Sequence, residues 1–391
     1  MAFDAHKNLS YSTIAVAPSP ALSGTTATLQ TGDGTKFPAV PFNVLIWPPN
    51  TLPLISNAEI ARVTAMSGDA ITAMTRATNT EPNVVGPQSV LVGWQIAVAV
   101  TGKTIIDIEA AGGSNSICDG RLTLTSGVPV TTADVTGATT VYFTPYKGNK
   151  IALFDGTSVW SAIAFTEKSL ALGTLTNGLP YDVFGYNNSG VLALELLAWT
   201  SGTARATALV LQDGVLVKTG ATTRRYLGTF YTTSTTTTED SRAKRLLWNY
   251  YNRDRRTFLR QETAGSWNYT TATFRQANAN AANQVAVIVG WAEATVDLRL
   301  AVCASNTNVA ADVTVAIGED STSVPYADGS YVDFAIPGAN YTVGLMATLA
   351  RKPVVGYHAY TWLEKSAAIG TTTWYQSAGY IASALAGSLD A

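Results

Sequence analysis

Residues 224–261 read RRYLGTFYTTSTTTTEDSRAKRLLWNYYNRDRRTFLRQ, and whether this stretch is helical or extended decides which structural classes the chain combines. Nine of the 25 Lys and Arg residues fall in it, interleaved with Trp248, Tyr250 and Tyr251. Thr236 and Glu239 stand at capping-box spacing, and Asp240 adds negative charge to what would be a first helical turn. Ala243, Leu246, Leu247, Tyr250 and Tyr251 then recur at i, i+3, i+4, i+7 and i+8, the apolar stripe of an amphipathic helix. The pattern predicts one amphipathic helix with its connector over 239–266. Leu246, Leu247, Tyr250 and Tyr251 would then pack at a subunit or module interface.

The cations of the stretch admit two readings. Nucleic-acid binding needs basic side chains on one accessible face. A helix would instead spread Arg242, Lys244 and Arg245 over a solvated face. It would also place Arg253, Arg255 and Arg256 beyond its C-terminal end, where positive charge complements the helix dipole. The second reading covers the whole cluster, so no nucleic-acid partner is expected. Outside the stretch the remaining 16 basic residues face 24 acidic ones, and the net charge of −2 gives no global pull toward polyanions.

The rest of the chain reads as extended structure. Its 391 residues suffice for two or three domains. Charged residues make up 13%, against about 25% in ordinary globular chains. Abundant Thr and Val with few charges is the composition of β-structure with hydroxyl-rich turns. The same depletion of charge marks surfaces buried between subunits, and plentiful aromatic and β-branched residues exclude disorder.

Along the chain the pattern divides into modules. Residues 1–103 form a small N-terminal β domain. There EIARVTAMSGDAITAMTRA pairs two runs around Ser67-Gly68-Asp69, and Trp94, Ile96, Val98 and Val100 alternate on one face. A Gly-Ser linker occupies 104–117. The central β-hairpin module, 118–238, carries Asp155-Gly156 and Asp213-Gly214 between apolar runs, a strong hairpin signal. GVLALELLAWTSG in the same module reads as a strand. Beyond the predicted helix, seven short strand patterns across 267–391 predict a C-terminal β-sandwich or jelly roll. The fold class is therefore mainly β, built of several antiparallel modules.

Few residues point to catalysis. There are two histidines, His6 and His358, and neither has the neighbours that a zinc site or a Ser-His-Asp constellation needs. No phosphate-cradling Gly-rich loop occurs. Glu293, Asp297, Asp333 and Glu364 could in principle supply the paired carboxylates of a glycosidase, but that density is ordinary for a protein surface. No enzymatic activity, catalytic residue, metal or cofactor is expected. Tyr357, Tyr360, Trp362, Trp374 and Tyr375 are read first as packing residues. Their alternative role is a glycan-binding platform, since the apolar face of a sugar packs on aromatic rings. Cys118 and Cys303 lie far apart and are expected to be buried thiols of a chain made in a reducing cytoplasm. Neither a signal peptide nor membrane insertion is expected.

Several of these stretches together carry a resemblance. TLQTGDGTKFPAVPFNVLIWP with NAEIARVTAMSGDAITAMTRA is similar to the small N-terminal β modules by which tailed-bacteriophage virion proteins attach to a particle. RLTLTSGVPVTTADVTGATTVYFTPYKGNKIALFDG and RRYLGTFYTTSTTTTEDSRAKRLLWNYYNR resemble a module recurrent in such structural proteins. The resemblance covers about the first 260 residues and extends to the remainder in general character. It implies a virion localisation after synthesis in the host cytoplasm, and a homotrimeric tail or head fibre, spike or knob. The implied partners are other virion proteins of the head, portal or tail, and host-surface polysaccharide. A capsid decoration or tail adaptor without receptor binding is the alternative. A glycan-cleaving tailspike is a further one, disfavoured because the long β-helix of such enzymes is missing.

Overall fold

A computed structural model describes residues 7–77, 86–105, 115–378 and 381–391. His6 and most of the linker expected at 104–117 lie outside the described residues. The chain forms two compact units, Met1–Gly113 and Ser114–Ala391. The fold is mainly β, and among the described residues α-helix is confined to a turn at 102–105.

The first unit is a closed barrel of six strands, Tyr11–Val16, Ala27–Leu29, Phe42–Trp47, Glu59–Ser67, Ala70–Thr75 and Gln95–Ala97. Strand alternation puts Phe42, Val44 and Ile46 inside with Ile14, Ala61, Val63 and Ile96. The hairpin expected at Ser67-Gly68-Asp69 is present, with Ser67 opposite Ala70. Of the alternating set that ends the barrel, Ile96 is buried, whereas Val100 has left the sheet and is exposed.

The second unit holds several sheets. Hairpins and a five-strand meander build its first part around Leu122, Val141, Phe143, Ile151, Val183 and Phe230. Asp213-Gly214 makes the tight turn between Leu209–Gln212 and Val215–Lys218, both residues having positive φ. The segment read as a strand in GVLALELLAWTSG is the strand Val191–Ala198.

The second part is a sandwich. One layer joins Asp333–Ala335, Asp312–Glu319, Gly356–Ser366 and Gln284–Val289. The other joins Arg255–Arg260, Ala384–Asp390, Val296–Asn306, Thr372–Tyr375 and Ser266–Tyr269. Val285, Val287, Val315, Ile317, Tyr360 and Trp362 from the first layer meet Val296, Leu298, Leu300, Trp374 and Leu385 from the second in one core.

The amphipathic helix expected over 239–266 is absent. The structure has strands there instead: Thr238–Asp240, Lys244–Arg245, Leu247–Asn249 and Arg255–Arg260. Ser241 and Lys244 exchange backbone hydrogen bonds across a two-residue turn, which ends any helix at the third residue beyond Thr238. The Thr run is itself a turn, with Thr233 N–H donating to the Thr237 carbonyl and Ser234 Oγ 2.7 Å from Thr237 Oγ1. The helical stripe was a coincidence of spacing, and Thr, Trp and Tyr followed their extended-chain preference once neighbouring strands offered hydrogen bonds.

The stretch therefore works as a seam. Leu247–Asn249 pairs with Ala221–Tyr231 of the meander, and Lys244–Arg245 pairs in parallel with Gln284–Val289 of the sandwich. Thr238–Asp240 pairs with Val135–Ala138. Leu246 and Leu247 are buried, and Tyr250 and Tyr251 are half-buried. Leu247 and Tyr251 pack against the core of the meander, and Tyr250 packs beside Phe184, Leu216 and Tyr226. These four residues lie between sheets of a single chain.

Candidate functional site

The nine cations of the opening stretch are all engaged by groups of the same chain. Arg224 meets Glu195 at 2.8 Å, Lys244 meets Glu239 at 3.1 Å, and Arg253 meets Glu293 at 2.6 Å. Arg242 approaches Asp134, Arg255 donates to Ser388 Oγ, and Arg260 donates to Asn283 Oδ1. Asp240 is buried and shares its carboxylate, one oxygen 3.0 Å from Arg245 and the other 2.8 Å from Arg256. Arg225 is 1% exposed. Its guanidinium donates to the carbonyls of Asn115, Ser116, Ile117 and Ala152 and stacks over Tyr251. A buried guanidinium survives only where acceptors replace its water, so this residue fastens the start of the second unit to the meander.

The aromatic residues proposed as a sugar platform do not form one. Tyr360, Trp362 and Trp374 are fully buried in the sandwich core. A sugar stacks only on an accessible ring face, so these three pack the core. Trp362 lies edge-on to Trp267 at 5.8 Å. Tyr357 is half-buried and stacks on Tyr231 at 4.4 Å, and the hydroxyls of Tyr375 and Ser305 share a hydrogen bond of 3.0 Å.

Of the four carboxylates weighed for catalysis, Glu364 and Asp333 lie outside the depression that Glu293 and Asp297 share. Glu364 is fully buried, where Trp267 Nε1–H, Arg275 and the Asn278 N–H all donate to it. Burial pushes its carboxyl above the ordinary glutamate value even against those donors. Asp333 stands 3.5 Å from Lys365. Glu293 and Asp297 line an open depression of about 320 Å³ with Arg255 and Asp390.

The only group of three metal-type ligands among the described residues is Glu319, Asp320 and His358, whose donor atoms lie within 4.8 Å of one another. His358 is 3% exposed. Its Nδ1 faces Asp320 Oδ2 at 2.8 Å and Glu319 Oε1 at 3.4 Å, while its Nε2 donates to the Val354 carbonyl at 3.0 Å. Arg351 lies 2.6 Å from Glu319 and supplies the positive charge a cation would bring. The arrangement is a four-membered ion network that ties the strand Gly356–Ser366 to the end of Asp312–Glu319. Both cysteines are buried thiols, and burial pushes the Cys118 thiol up to about 12.

Exposed apolar side chains mark a different kind of site, one that neither motif nor spacing revealed. Among the described residues, the exposed large hydrophobics number twelve in the barrel unit and nine between 309 and 369, but only five from 115 to 305. In the barrel, Leu52, Leu54 and Ile55 project from one loop at 78%, 58% and 70% exposure. Leu91 and Val92 sit on a turn held against the 14–21 segment by Val90 N–H to Ala21 O and Gly93 N–H to Ile14 O. In the sandwich, Tyr331, Val332 and Phe334 are exposed along one loop and edge strand. The bridge between Ser330 and Thr348 ties that loop to Val343–Arg351, whose outward positions include Met346. Soluble proteins leave such residues scattered singly, and runs of them mark contact surfaces.

No helix of the chain is long and apolar enough to cross a membrane among the described residues. No known protein family matches the chain, and no curated protein is similar to it. Solved structures similar to it include the insecticidal delta-endotoxin Cry8Ea1 of Bacillus thuringiensis, at 6% identity, covering 70% of this chain and 51% of that one with a TM-score of 0.22. The mosquito-larvicidal Cry4Aa toxin of Bacillus thuringiensis shows 8% identity, 66% and 52% coverage and a TM-score of 0.19. A Bacillus thuringiensis Cry1Da tryptic core variant shows 9%, 71% and 53%, with 0.18. The chain spans about half the length of these structures, and likeness at such TM-scores carries no inference about what this protein does.

Proposed function

We propose that the chain is a structural protein of a tailed-phage virion, a trimeric tail or head fibre or spike. It would attach by its N-terminal barrel and present the C-terminal sandwich to a host-surface glycan. The observation that carries this reading is the crowding of exposed apolar residues onto the barrel and onto the 309–369 region, with few between them. A protein that joins two partners needs two contact surfaces and an inert middle. The low overall charge fits a chain whose surface is covered in an assembly. The basic stretch, engaged within the chain, supports a structural part for its cations over a nucleic-acid contact.

Cryo-electron microscopy of the particle, with an antibody fragment against the barrel, tests the placement. The expected image has the barrel at the particle and the sandwich outward, and light scattering gives three chains per species. A clean monomer at micromolar concentration that labels no particle removes the proposal. Labelling without any glycan retention would leave a decoration or adaptor protein.

A further inference from the structure

The second layer of the sandwich turns one face to the core and leaves the other uncovered. Along Val343–Arg351 the alternation is strict, with Val343, Leu345, Ala347 and Leu349 buried and the positions between them exposed. Neighbouring strands continue that outer face in register. Ala301 stands between Met346 and Ala384, Arg299 between Thr348 and Ala386, and Asp297 between Ala350 and Ser388. A sheet face washed by solvent ordinarily alternates polar side chains outward. Here, apart from Met346 and the two charges, these positions hold only Ala, Ser or Thr.

Two charges rise from this low floor. Asp297 and Arg299 are both exposed and two residues apart on one strand, about 7 Å along it. Arg299 is the one arginine among the described residues with no carboxylate, hydrogen-bond acceptor or aromatic ring of its own chain against it. Asp297 forms no ion pair among the described residues either. Arg255, which shares a depression with it, donates to Ser388 Oγ, and Glu293 at the same depression holds Arg253. Opposite charges left open at a fixed spacing are complementary to the same pair on another copy turned to meet them.

We propose that this outer face, centred on Asp297 and Arg299 of Val296–Asn306, is where copies of the chain meet, Asp297 of one copy against Arg299 of the next. The number of copies rests on the trimer of the function proposed above, to which this adds the surface that forms it. Rotation about the assembly axis repeats the contact in every copy, so a closed ring leaves neither charge unpaired. The short side chains around the pair let a second sheet approach to about 10 Å and have little rotamer entropy to lose. Charge is otherwise sparse there, as it is at interface cores. A saccharide would find no aromatic ring among these positions to stack on.

Light scattering on the full chain tests it, with circular dichroism to check that each variant is folded. Arg299→Asp and Asp297→Arg each set like charges against one another and should weaken assembly at least about 100-fold, leaving monomers at micromolar concentration. The double reversal, Asp297→Arg with Arg299→Asp, pairs the charges again in every copy and should return three chains per particle. If a reversed chain does not fold, Ala386→Trp, which puts bulk on the floor beside Arg299, should dissociate the assembly without a change of charge. A trimer untouched by the single reversals or by Ala386→Trp would overturn this face while leaving the trimer itself. Folded monomers that the double reversal does not reassemble would overturn the charge pairing. A dimer that obeys the reversal pattern would keep the face and overturn the trimer, and an unaltered chain that is monomeric would remove both.

Discussion

His358 and Asp320 stand 2.8 Å apart, Nδ1 to Oδ2, with the imidazole buried and its other nitrogen on a backbone carbonyl. A carbonyl can only accept, so Nε2 carries a hydrogen, and a carboxylate at Nδ1 favours a second. The ring is therefore an imidazolium. Burial opposes its charge, yet the Asp320 hydrogen bond and charge, the Val354 carbonyl and Glu319 together raise its pKa above 6.5. For Asp320 burial acts upward, and the His358 hydrogen bond and the Ala359 N–H bring the pKa below 3.8. Burial raises that of Glu319.

The pH dependence follows in sign. The histidine's contribution is fully present below 6.5 and is lost as pH rises through its elevated folded value. That of Asp320 is present above 3.8 and lost as pH falls through its depressed one. Glu319, an acid with a raised pKa, acts in the same direction as the histidine. Melting temperature should thus decline above the imidazole range, and His358→Gln should flatten that alkaline limb while costing about 1.5–3 kcal/mol at pH 6. An unchanged limb in the variant would mean another group is responsible.

Val183→Asp places an unpaired carboxylate in the core of the meander, 0% exposed at this position. A loss of about 3–5 kcal/mol is expected, read as a lower urea midpoint. Retention of full stability would show that Val183 faces a cavity open to water.

Trp362→Ala and Trp374→Ala should each cost about 3–5 kcal/mol because both rings are enclosed in the sandwich. Any glycan retention by the fraction that remains folded should be unchanged. A selective loss of retention with normal melting would restore these rings to a binding surface.

Gly228 pairs with Asn249, and a Cβ there would lie 2.1 Å from the Trp248 carbonyl oxygen. Gly228→Ala must push the strand Leu247–Asn249 off its partner, at a cost of about 1–3 kcal/mol. Thermal melting of the variant checks this.

Leu54→Asp with Ile55→Asp, and Tyr341→Asp separately, replace side chains at 58%, 70% and 60% exposure. Stability should change by less than about 0.5 kcal/mol in each case. The barrel pair should lose particle incorporation while the sandwich variant keeps it. The reverse pattern would exchange the attachment roles given to the two units.

How much of this was legible in the sequence differs by element. Strands announced by period-2 alternation and tight turns, such as the hairpins at Gly68-Asp69 and Asp213-Gly214, were readable because their signals are local. The stretch at 239–266 mimics a helix in sequence because its apolar spacing suits one, yet it is extended. Its strands exist only through partners at 135–138, 221–231, 284–289 and 384–390, which no local window contains. The tryptophans near the C-terminal region were identifiable as aromatic, but their burial depends on a second layer. The ion network of His358 needed Glu319, Asp320 and Arg351, residues brought close by sheet pairing. The exposed apolar crowding had no sequence signature, since Leu and Val in loops look like Leu and Val in strands.

The ladder that runs Val135–Ala138 to Thr238–Asp240, then Lys244–Arg245 to Gln284–Val289, then on to Gly356–Ser366, bears on the chain's birth. Its strands are joined in space in an order that spans more than half of the sequence. On a ribosome, the strand made at 135–138 must wait with an unsatisfied edge until residues 238–240 have emerged, and the strand at 284–289 until residues 356–366 follow. Contacts of such sequence separation slow folding, and the waiting edge is prone to mispairing with neighbouring nascent chains. The barrel, whose six partners all lie within the first 97 residues, has no such delay. It is expected to be complete while the rest of the protein is still being made.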